Sequence, residues 1–198
     1  MNVIFMRHGE ATDNVKGIIS DKEIYWSVLT SEGERVAVET AKGLPKGIKR
    51  MYVSPFPRTI QTASFVFAEQ PNVDVLIDNR IREIFHGKYS GGKNNEDLDR
   101  TRERQVAGDF FVRFGDYGEN KYDIEKRLCL FLKDVCEQNK QDDTILVVSH
   151  GSVTSFMKRI LHLVSPHIKT GKAEIFENVD FSCVYEHLNM LEDIAEKA

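Results

Sequence analysis

Short apolar runs alternate along the chain with longer stretches in which apolar residues recur every three or four positions. The short runs have the length of buried strands, and the longer stretches have the period of amphipathic helices. We predict strands over residues 3–6, 51–53, 73–77 and 145–148, and helices over residues 31–44, 57–69, 124–135 and 153–164. Residues 173–178 and 181–187 alternate in polarity, which predicts two late strands that pair with each other. The pattern indicates an α/β fold, a three-layer sandwich with a largely parallel sheet and helices on both faces.

Residues 85–121 break this alternation. They are rich in glycine, asparagine and charged residues, and they separate a predicted strand from a predicted helix by far more than a short connection. An insertion of this length is usually a functional loop or a subdomain. We therefore predict a single domain over residues 1–198, with a cap insertion at about 85–121 that lies over the carboxyl ends of the strands.

The composition is that of an ordinary globular protein. The 198 residues are 41% hydrophobic and 29% charged, with a net charge of −4, so a general nucleic-acid partner is not expected. Apolar runs are too short for a membrane span or a signal peptide, which predicts a cytoplasmic protein without a membrane partner. Cys129 and Cys136 are seven residues apart on one predicted helix, too far for a disulfide, and Cys183 falls in a strand-like stretch. All three are expected to be core residues.

Polar residues stand directly after three of the predicted strands. Arg7 and His8 follow the first, Arg58 comes shortly after the second, and His150 and Gly151 follow the fourth. Because the carboxyl ends of parallel strands meet at one edge of a sheet, these side chains should lie together. Two guanidinium groups and two imidazoles in one place favour an anion, and phosphate fits the planar arginine fork. Helices that begin near these residues would add amide groups that favour the same anion.

The motifs resemble those of the histidine phosphatase superfamily, which has the phosphoglycerate-mutase-like fold. They follow the order of the family and cover most of the chain from residue 3 to about 155. The matching pieces are Arg7-His8-Gly9-Glu10 with Asn14, Leu29-Thr30 with Gly33, Ser54-Pro55 with Arg58-Thr59 and Gln61-Thr62-Ala63, Glu83 with Gly87, and Val148-Ser149-His150-Gly151.

The resemblance implies a role for each of these residues. His8 would be the nucleophile and become a phosphohistidine, while Glu83 would carry the proton that the leaving oxygen needs. A neutral imidazole suits this task if a carbonyl group holds its other nitrogen as a donor. A cationic His150 would join the arginines in neutralising the phosphoryl oxygens. The residues expected to bind the substrate are Arg7, Asn14, Arg58, His150 and Gly151.

Some positions depart from the family pattern. Ala11 stands where threonine or serine is common, and Asp13 stands where tryptophan is common. Asn120 replaces serine in a stretch that resembles the family's Gly-Glu-Ser, and residues 18–26 match no pattern that we can place. These positions surround the predicted phosphoryl site, so they affect the choice of substrate more than the reaction.

The assignment of the general acid leaves alternatives open. Glu10, Asp13 and Glu23 are other carboxylates that could reach the site. Glu83 could instead pair with Arg80 or Arg82 as a structural ion pair, because both are close in sequence.

The remaining polar residues favour structural or surface roles. No cysteine and histidine spacing of a metal site and no glycine-rich dinucleotide loop is present, so neither a metal nor a cofactor is expected. His86 could line the pocket, but a structural or surface position is favoured; the other residues of this kind are His162, His167, His187, Arg100, Arg102 and Arg104.

Three functions fit this pattern. The favoured one is a phosphatase that hydrolyses the phosphomonoester of a small metabolite through a phosphohistidine on His8. A phosphoglycerate mutase is the second, although such enzymes are usually longer, and Ala11 and Asp13 also weigh against it. The third is a non-catalytic phosphate-binding or interaction module on the same fold. The particular substrate and the oligomeric state are not specified by any motif.

Overall fold

The computed structural model describes residues 1–22 and 27–198, which form five strands and seven α-helices. The strands are β1 (Asn2–Arg7), β2 (Arg50–Val53), β3 (Asp74–Ile77), β4 (Thr144–Ser149) and β5 (Ala173–Phe176). The helices are α1 (Thr12–Lys16), α2 (Ser31–Gly43), α3 (Pro57–Glu69), α4 (Glu96–Val106), α5 (Lys121–Gln138), α6 (Gly151–Ile160) and α7 (Ser182–Glu196). Short 3₁₀ helices at Asn79–Ile81 and Gly87–Tyr89 follow β3.

The strands form one mixed, mostly parallel sheet in the order β3-β2-β4-β1-β5. β1 pairs in parallel with β4, and β4 pairs in parallel with β2, so Met6 and Val53 both align with Val148. β5 runs antiparallel to β1. The three strands that precede the polar clusters are therefore neighbours, and their carboxyl ends meet at the same edge of the sheet.

Helices cover both faces of the sheet, which confirms the predicted fold class. Alternate residues of β1 point to opposite faces: Val3 and Phe5 pack into the larger core with α5, α6 and α7, whereas Ile4 and Met6 pack into the smaller core with α2 and α3. All four side chains are fully buried. A strand buried on both faces reads as a continuous apolar run, which is why its position could be predicted.

The prediction that residues 173–178 and 181–187 pair as strands is wrong. β5 pairs with β1 instead, and Ser182–Glu196 is helical. Val184, Leu188 and Leu191 follow one another at intervals of four and three residues and pack against the larger core. This helical period extends beyond the seven residues in which the polarity alternates. Cys183, placed in a strand by the same interpretation, therefore lies in α7, where it is buried.

The insertion at residues 85–121 contains the second 3₁₀ helix and α4, and its two ends lie side by side. Glu119 N donates to Phe85 O at 2.8 Å, and Phe85 N donates to the Glu119 carboxylate at the same distance. Within the insertion, Gly91 N donates to Ile19 O at 2.8 Å. The division of the chain into a single domain with this cap stays a prediction.

The free cysteines lie where the composition suggested, in or beside the core. Cys129 is buried in α5, and Cys136 is partly buried on the same helix. Burial raises the pKa of the Cys129 thiol to about 12. Within residues 1–22 and 27–198, no helix has both the length and the apolar character that a membrane span requires.

Candidate active site

His8 lies at the carboxyl end of β1 with its ring buried. Its Nδ1 is 2.7 Å from Gly9 O, and a carbonyl oxygen can only accept, so Nδ1 carries the proton. Nε2 is then unprotonated, and its electron pair accepts a hydrogen bond from Arg58 Nε at 3.3 Å. This is the tautomer that a nucleophilic imidazole requires.

Arg58 and His150 lie against this ring from the neighbouring strands. Arg58 is buried in the first turn of α3, and His150 is buried immediately before α6. The two imidazole rings are 5.3 Å apart between centroids. Arg58 Nη2 lies 3.1 Å from His150 Nδ1, and Ser54 Oγ lies 2.8 Å from His150 Nε2. Side chains from three adjacent strand ends thus form one cluster.

His150 differs from the cationic residue that the sequence suggested. Because a guanidinium can only donate, its contact with Nδ1 requires that nitrogen to be unprotonated. Burial lowers the pKa of His150 well below its usual value, and the charge of Arg58 lowers it further. Burial and Arg58 have the same effect on the pKa of His8. Both rings are therefore neutral near pH 7 until a further negative charge enters the cluster.

Arg7 completes the cationic part of the cluster. Burial lowers the pKa of Arg7, while the nearby carboxylate of Glu83 opposes the change. Arg7 Nη1 lies 3.0 Å from His167 Nε2 and donates to Ile168 O at 3.3 Å. Arg7 Nε is buried and has no hydrogen-bond partner among the described residues. The guanidinium thus retains donor capacity within the cluster.

Gly151 supports this packing by having no side chain. A Cβ atom at this position would lie 2.6 Å from His167 Nε2 and 3.0 Å from Arg7 Cζ. The backbone of α6 can approach Arg7 only because residue 151 is glycine. The sequence predicted that Gly151 binds substrate, and the structure places it directly against a residue of the cluster.

Glu83 is a carboxylate that the structure brings next to His150. Its Oε2 lies 3.7 Å from His150 Nδ1, and its Oε1 accepts from Ile84 N at 3.0 Å. The two arginines that could have held it are paired elsewhere, Arg80 with Asp78 at 2.7 Å and Arg82 with Glu119 at 3.2 Å. Glu83 is therefore not held in either of the structural ion pairs considered from the sequence.

The alternative carboxylates have other partners. Glu10 accepts from Thr30 Oγ1 at 2.8 Å, at the start of α2. Asp13 is buried and accepts a hydrogen bond from Ser27, although its charge also acts on both arginines of the cluster. Glu23 lies outside the described residues, as do residues 24–26 of the stretch 18–26 that matched no pattern.

Asn14 lies in the first turn of α1, and its role in substrate binding stays a prediction. It is exposed, and its Oδ1 accepts from Ala11 N at 2.9 Å at the beginning of α1. The adjacent Asp13 is the side chain that turns inward.

Several of the other histidines and arginines contact carboxylates outside the cluster. His86 is buried beside Asp21, with its Nδ1 2.8 Å from Asp21 Oδ2, and His187 Nε2 lies 2.9 Å from Glu125. The arginines of α4 pair with acidic residues of the cap as a solvated face; they are Arg100, Arg102 and Arg104. No group of three or more potential metal ligands occurs within residues 1–22 and 27–198.

Comparison with known proteins decides the family. The model of the histidine phosphatase superfamily, branch 1, matches residues 3–183. The chain belongs to this superfamily. The match extends beyond residue 155, where the recognisable motifs end, and includes β5 and the first residues of α7.

Relatives of this family member carry the names of both phosphatases and mutases. The chain is 46% identical over 95 residues to the 2,3-bisphosphoglycerate-dependent phosphoglycerate mutase of Thermoplasma acidophilum, a match that covers 47% of this chain and 46% of the mutase. It therefore spans just under half the length of that mutase. It is 30% identical over 158 residues to phosphoserine phosphatase 1 of Hydrogenobacter thermophilus, covering 76% of this chain and 71% of that protein.

Solved structures of the family have the same fold. A mycobacterial glucosyl-3-phosphoglycerate phosphatase in complex with VO₃ superposes with a TM-score of 0.72 at 19% identity, covering 88% of this chain and 90% of the other. The phosphoserine phosphatase of Entamoeba histolytica in complex with 3-phosphoglyceric acid has a TM-score of 0.72 at 24% identity, covering 88% and 89%. The family thus includes phosphatases and mutases.

Three contacts of the cluster were not foreseen from the sequence. Ser54 holds His150, Ser20 O accepts from Arg58 Nη2 at 2.8 Å, and His167 holds Arg7. Ser54 does follow β2, so its place after a strand was an available signal. Ser20 and His167 lie in segments without helical or strand period, and no spacing in the sequence connects them to the arginines.

Proposed function

We propose that the protein is a phosphatase that hydrolyses the phosphomonoester of a small metabolite through a phosphohistidine on His8. This proposal rests on the tautomer and the orientation of the His8 ring. Nδ1 is held as a donor by Gly9 O at 2.7 Å, and Nε2 points with its electron pair towards the guanidinium of Arg58. A nucleophile is thus oriented beside the group that would bind the phosphate.

The first chemical step forms the Nε2–P bond and breaks the P–O bond of the ester. The leaving oxygen takes the proton of Glu83, while the proton on Nδ1 of His8 remains on that nitrogen, hydrogen-bonded to Gly9 O. Arg7 and Arg58 neutralise the charge on the phosphoryl oxygens, which is the main requirement of phosphoryl transfer. The phosphate charge would also favour protonation of His150, whose Nδ1 already lies 3.7 Å from Glu83.

The second step returns the enzyme to its starting state. Glu83, now a carboxylate, accepts a proton from water as the water oxygen attacks phosphorus. The N–P bond breaks, inorganic phosphate leaves, and Glu83 holds the proton for the next cycle. This use of one carboxyl group as acid and then as base needs no metal, because the arginines supply the positive charge.

The test of this function is replacement of the nucleophile. The His8→Ala variant should lose turnover by several orders of magnitude while its circular dichroism spectrum and Tm stay close to those of the wild type. Rapid quenching of wild-type enzyme with a labelled substrate should trap a phosphoryl group that is labile in acid and stable in alkali, as an N–P bond is. Normal turnover by His8→Ala would overturn the proposal.

A mutase is the second candidate, and the 46% identity with a 2,3-bisphosphoglycerate-dependent phosphoglycerate mutase favours it over part of the chain. The two functions are separated by assaying phosphate release and phosphoglycerate interconversion with and without 2,3-bisphosphoglycerate. Release without the bisphosphate supports the phosphatase, and interconversion that depends on it supports the mutase. Neither activity supports a non-catalytic module.

The substrate should be sought among small phosphorylated metabolites. Because a relative 30% identical over 76% of the chain is named a phosphoserine phosphatase, O-phosphoserine belongs in the panel beside sugar phosphates, phosphoglycerates and nucleoside monophosphates.

A further inference from the structure

The loop between α6 and β5 lies against the backbone of the predicted nucleophile. Gly171 N donates to His8 O at 2.8 Å, and Arg7 N donates to Lys172 O at 3.1 Å. The same loop carries His167, whose ring contacts the side chain of Arg7. One segment, distant in sequence, thus supports both the backbone and the side chain of the Arg7-His8 pair.

The hydrogen bonds around His167 fix which of its nitrogens carries the proton. Ser155 Oγ donates to Gly151 O at 2.9 Å, so its only hydrogen is used there. His167 Nδ1 lies 3.1 Å from the same oxygen and must therefore donate to it. His167 Nε2 lies 3.0 Å from Arg7 Nη1, which can only donate, so Nε2 is an acceptor. The ring is neutral, and a single tautomer satisfies both contacts.

A buried ion pair fixes the loop beside His167. Lys158 of α6 is buried, and its Nζ donates to Pro166 O at 2.6 Å, to Ser165 Oγ at 2.7 Å and to Glu174 Oε2 at 2.9 Å. A buried charge is stable only when it is paired and hydrogen-bonded, so these contacts leave the loop little freedom to move. The residue that precedes His167 is thus attached to α6 through its carbonyl group.

We propose that His167 is a positioning residue, whose neutral ring holds the guanidinium of Arg7 in the orientation that the phosphoryl group needs. This role rests on the proposed function, in which Arg7 binds the phosphoryl oxygens. Besides the contact with His167, the Arg7 guanidinium makes one hydrogen bond to the described residues, a longer one to Ile168 O at 3.3 Å. Without the imidazole, the long arginine side chain would have to be ordered by the substrate, at a cost in conformational entropy.

The role of His167 makes activity depend on pH in a defined direction. The charged groups that act on the ring are Arg7 of β1, Lys158 of α6 and Glu174 of β5; burial, Arg7 and Lys158 lower its pKa, and Glu174 raises it. Above that pKa the neutral ring accepts from Arg7. As the pH falls through it, a proton on Nε2 would face the guanidinium, the contact would break, and kcat/KM should fall.

The experiment compares two replacements of His167 with a matched control. His167→Phe keeps a ring but removes the acceptor, and it should lower kcat/KM about tenfold, mostly through KM, as expected for the loss of one hydrogen bond to a charged group. His167→Gln keeps an acceptor that does not titrate, so it should retain activity and show a shallower acid limb. His162→Asn removes an exposed imidazole from the same loop and should match the wild type.

Three outcomes distinguish a failure of the proposed role of His167 from a failure of the proposed phosphatase function. Full activity of an Arg7→Ala variant would contradict the proposed function itself. An inactive Arg7→Ala variant, together with His167→Phe that has wild-type kinetics and pH profile, would overturn the role of His167 alone. Should His167→Phe fail to fold, ¹⁵N NMR of the wild-type ring decides: a proton on Nδ1 supports the proposal, and a proton on Nε2 contradicts it.

Discussion

Among single residues, the cluster combines two neutral histidines with two charged arginines. His8 and His150 are both buried and both neutral, while the two arginines beside them remain charged. Burial of two guanidinium groups is unfavourable even with Asp13 and Glu83 nearby, and a bound phosphate would add negative charge beside them. Glu83 lies 3.7 Å from His150 and, among the described residues, is in no ion pair with an arginine.

The role of Glu83 can be tested by varying the leaving group. An alkyl alcohol is a poor leaving group and needs a proton, whereas p-nitrophenolate leaves without one. General acid catalysis contributes about 10²–10⁴-fold where it is needed. The Glu83→Gln variant should therefore slow the phosphorylation of His8 by a sugar phosphate far more than the burst of p-nitrophenol measured by rapid mixing. Equal slowing with both substrates would assign Glu83 a positioning role and direct attention to Glu10 or Asp13.

How far the site could be predicted also depends on single residues. Arg7, His8, Arg58 and His150 could be placed together because each follows a strand of one parallel sheet. The burial of Asp13 on α1 could not be predicted, because the direction of a side chain on a five-residue helix depends on tertiary packing. The protonation of His150 could not be foreseen, since it depends on a contact with Arg58 across 92 residues of sequence.

At the scale of elements, the loop after β1 and the beginning of α2 are packed backbone against backbone. A Cβ atom on Gly33, in the first turn of α2, would lie 2.7 Å from Glu10 N and would collide with Glu10 O. A Cβ atom on Gly9 would lie 2.5 Å from Gly33 O. Gly9, the residue after the predicted nucleophile, is thus held in place by its backbone contact with Gly33 in the first turn of α2.

This contact predicts a sharp difference between two glycines of one helix. Gly33→Ala must push α2 away from the loop after β1, so it should lower the free energy of unfolding by about 2–4 kcal/mol. Gly43→Ala, at the end of the same helix with nothing within 4 Å of its Cβ position, should be neutral or stabilising by up to about 1 kcal/mol. Urea denaturation of the two variants measures the difference, and equal stabilities would contradict the packing described.

Strands and helices could be predicted where a single hydrophobic pattern, a continuous apolar run or a helical period, extends over the whole element. The predicted bounds of the four parallel strands and of α2 and α3 agree with the structure to within one residue. The series over 153–164 was extended too far, because α6 ends at Ile160 and Val164 is exposed. α7 was missed because Phe181, Cys183 and Tyr185 alternate over too short a window to reveal the helical period that Val184 and Leu191 establish. Residues 85–121 are less apolar than the rest of the chain and show no sustained helical period, so α4 was not predicted.

At the scale of the whole molecule, the cluster makes stability depend on pH. The pKa of His8 and the pKa of His150 are lowered by folding, so between those values and about 6.5 the unfolded chain binds protons that the folded protein does not. The stability is therefore complete above about pH 6.5 and decreases as the pH falls below it. Each such histidine contributes a slope of about 1.4 kcal/mol per pH unit.

We therefore expect the free energy of unfolding to fall between pH 6.5 and 5, where most carboxylates are still ionised in both states. His150→Gln should reduce that slope by about one proton, and His8→Gln should do the same, because neither variant has a buried imidazole to protect from protonation. His162→Asn removes an exposed imidazole and should leave the slope unchanged.

Urea unfolding at half-unit pH intervals measures these slopes. Equal slopes in the wild type and both glutamine variants would mean that His8 and His150 are protonated as readily in the folded protein as in the unfolded chain, which would contradict the neutral pair on which the proposed mechanism depends.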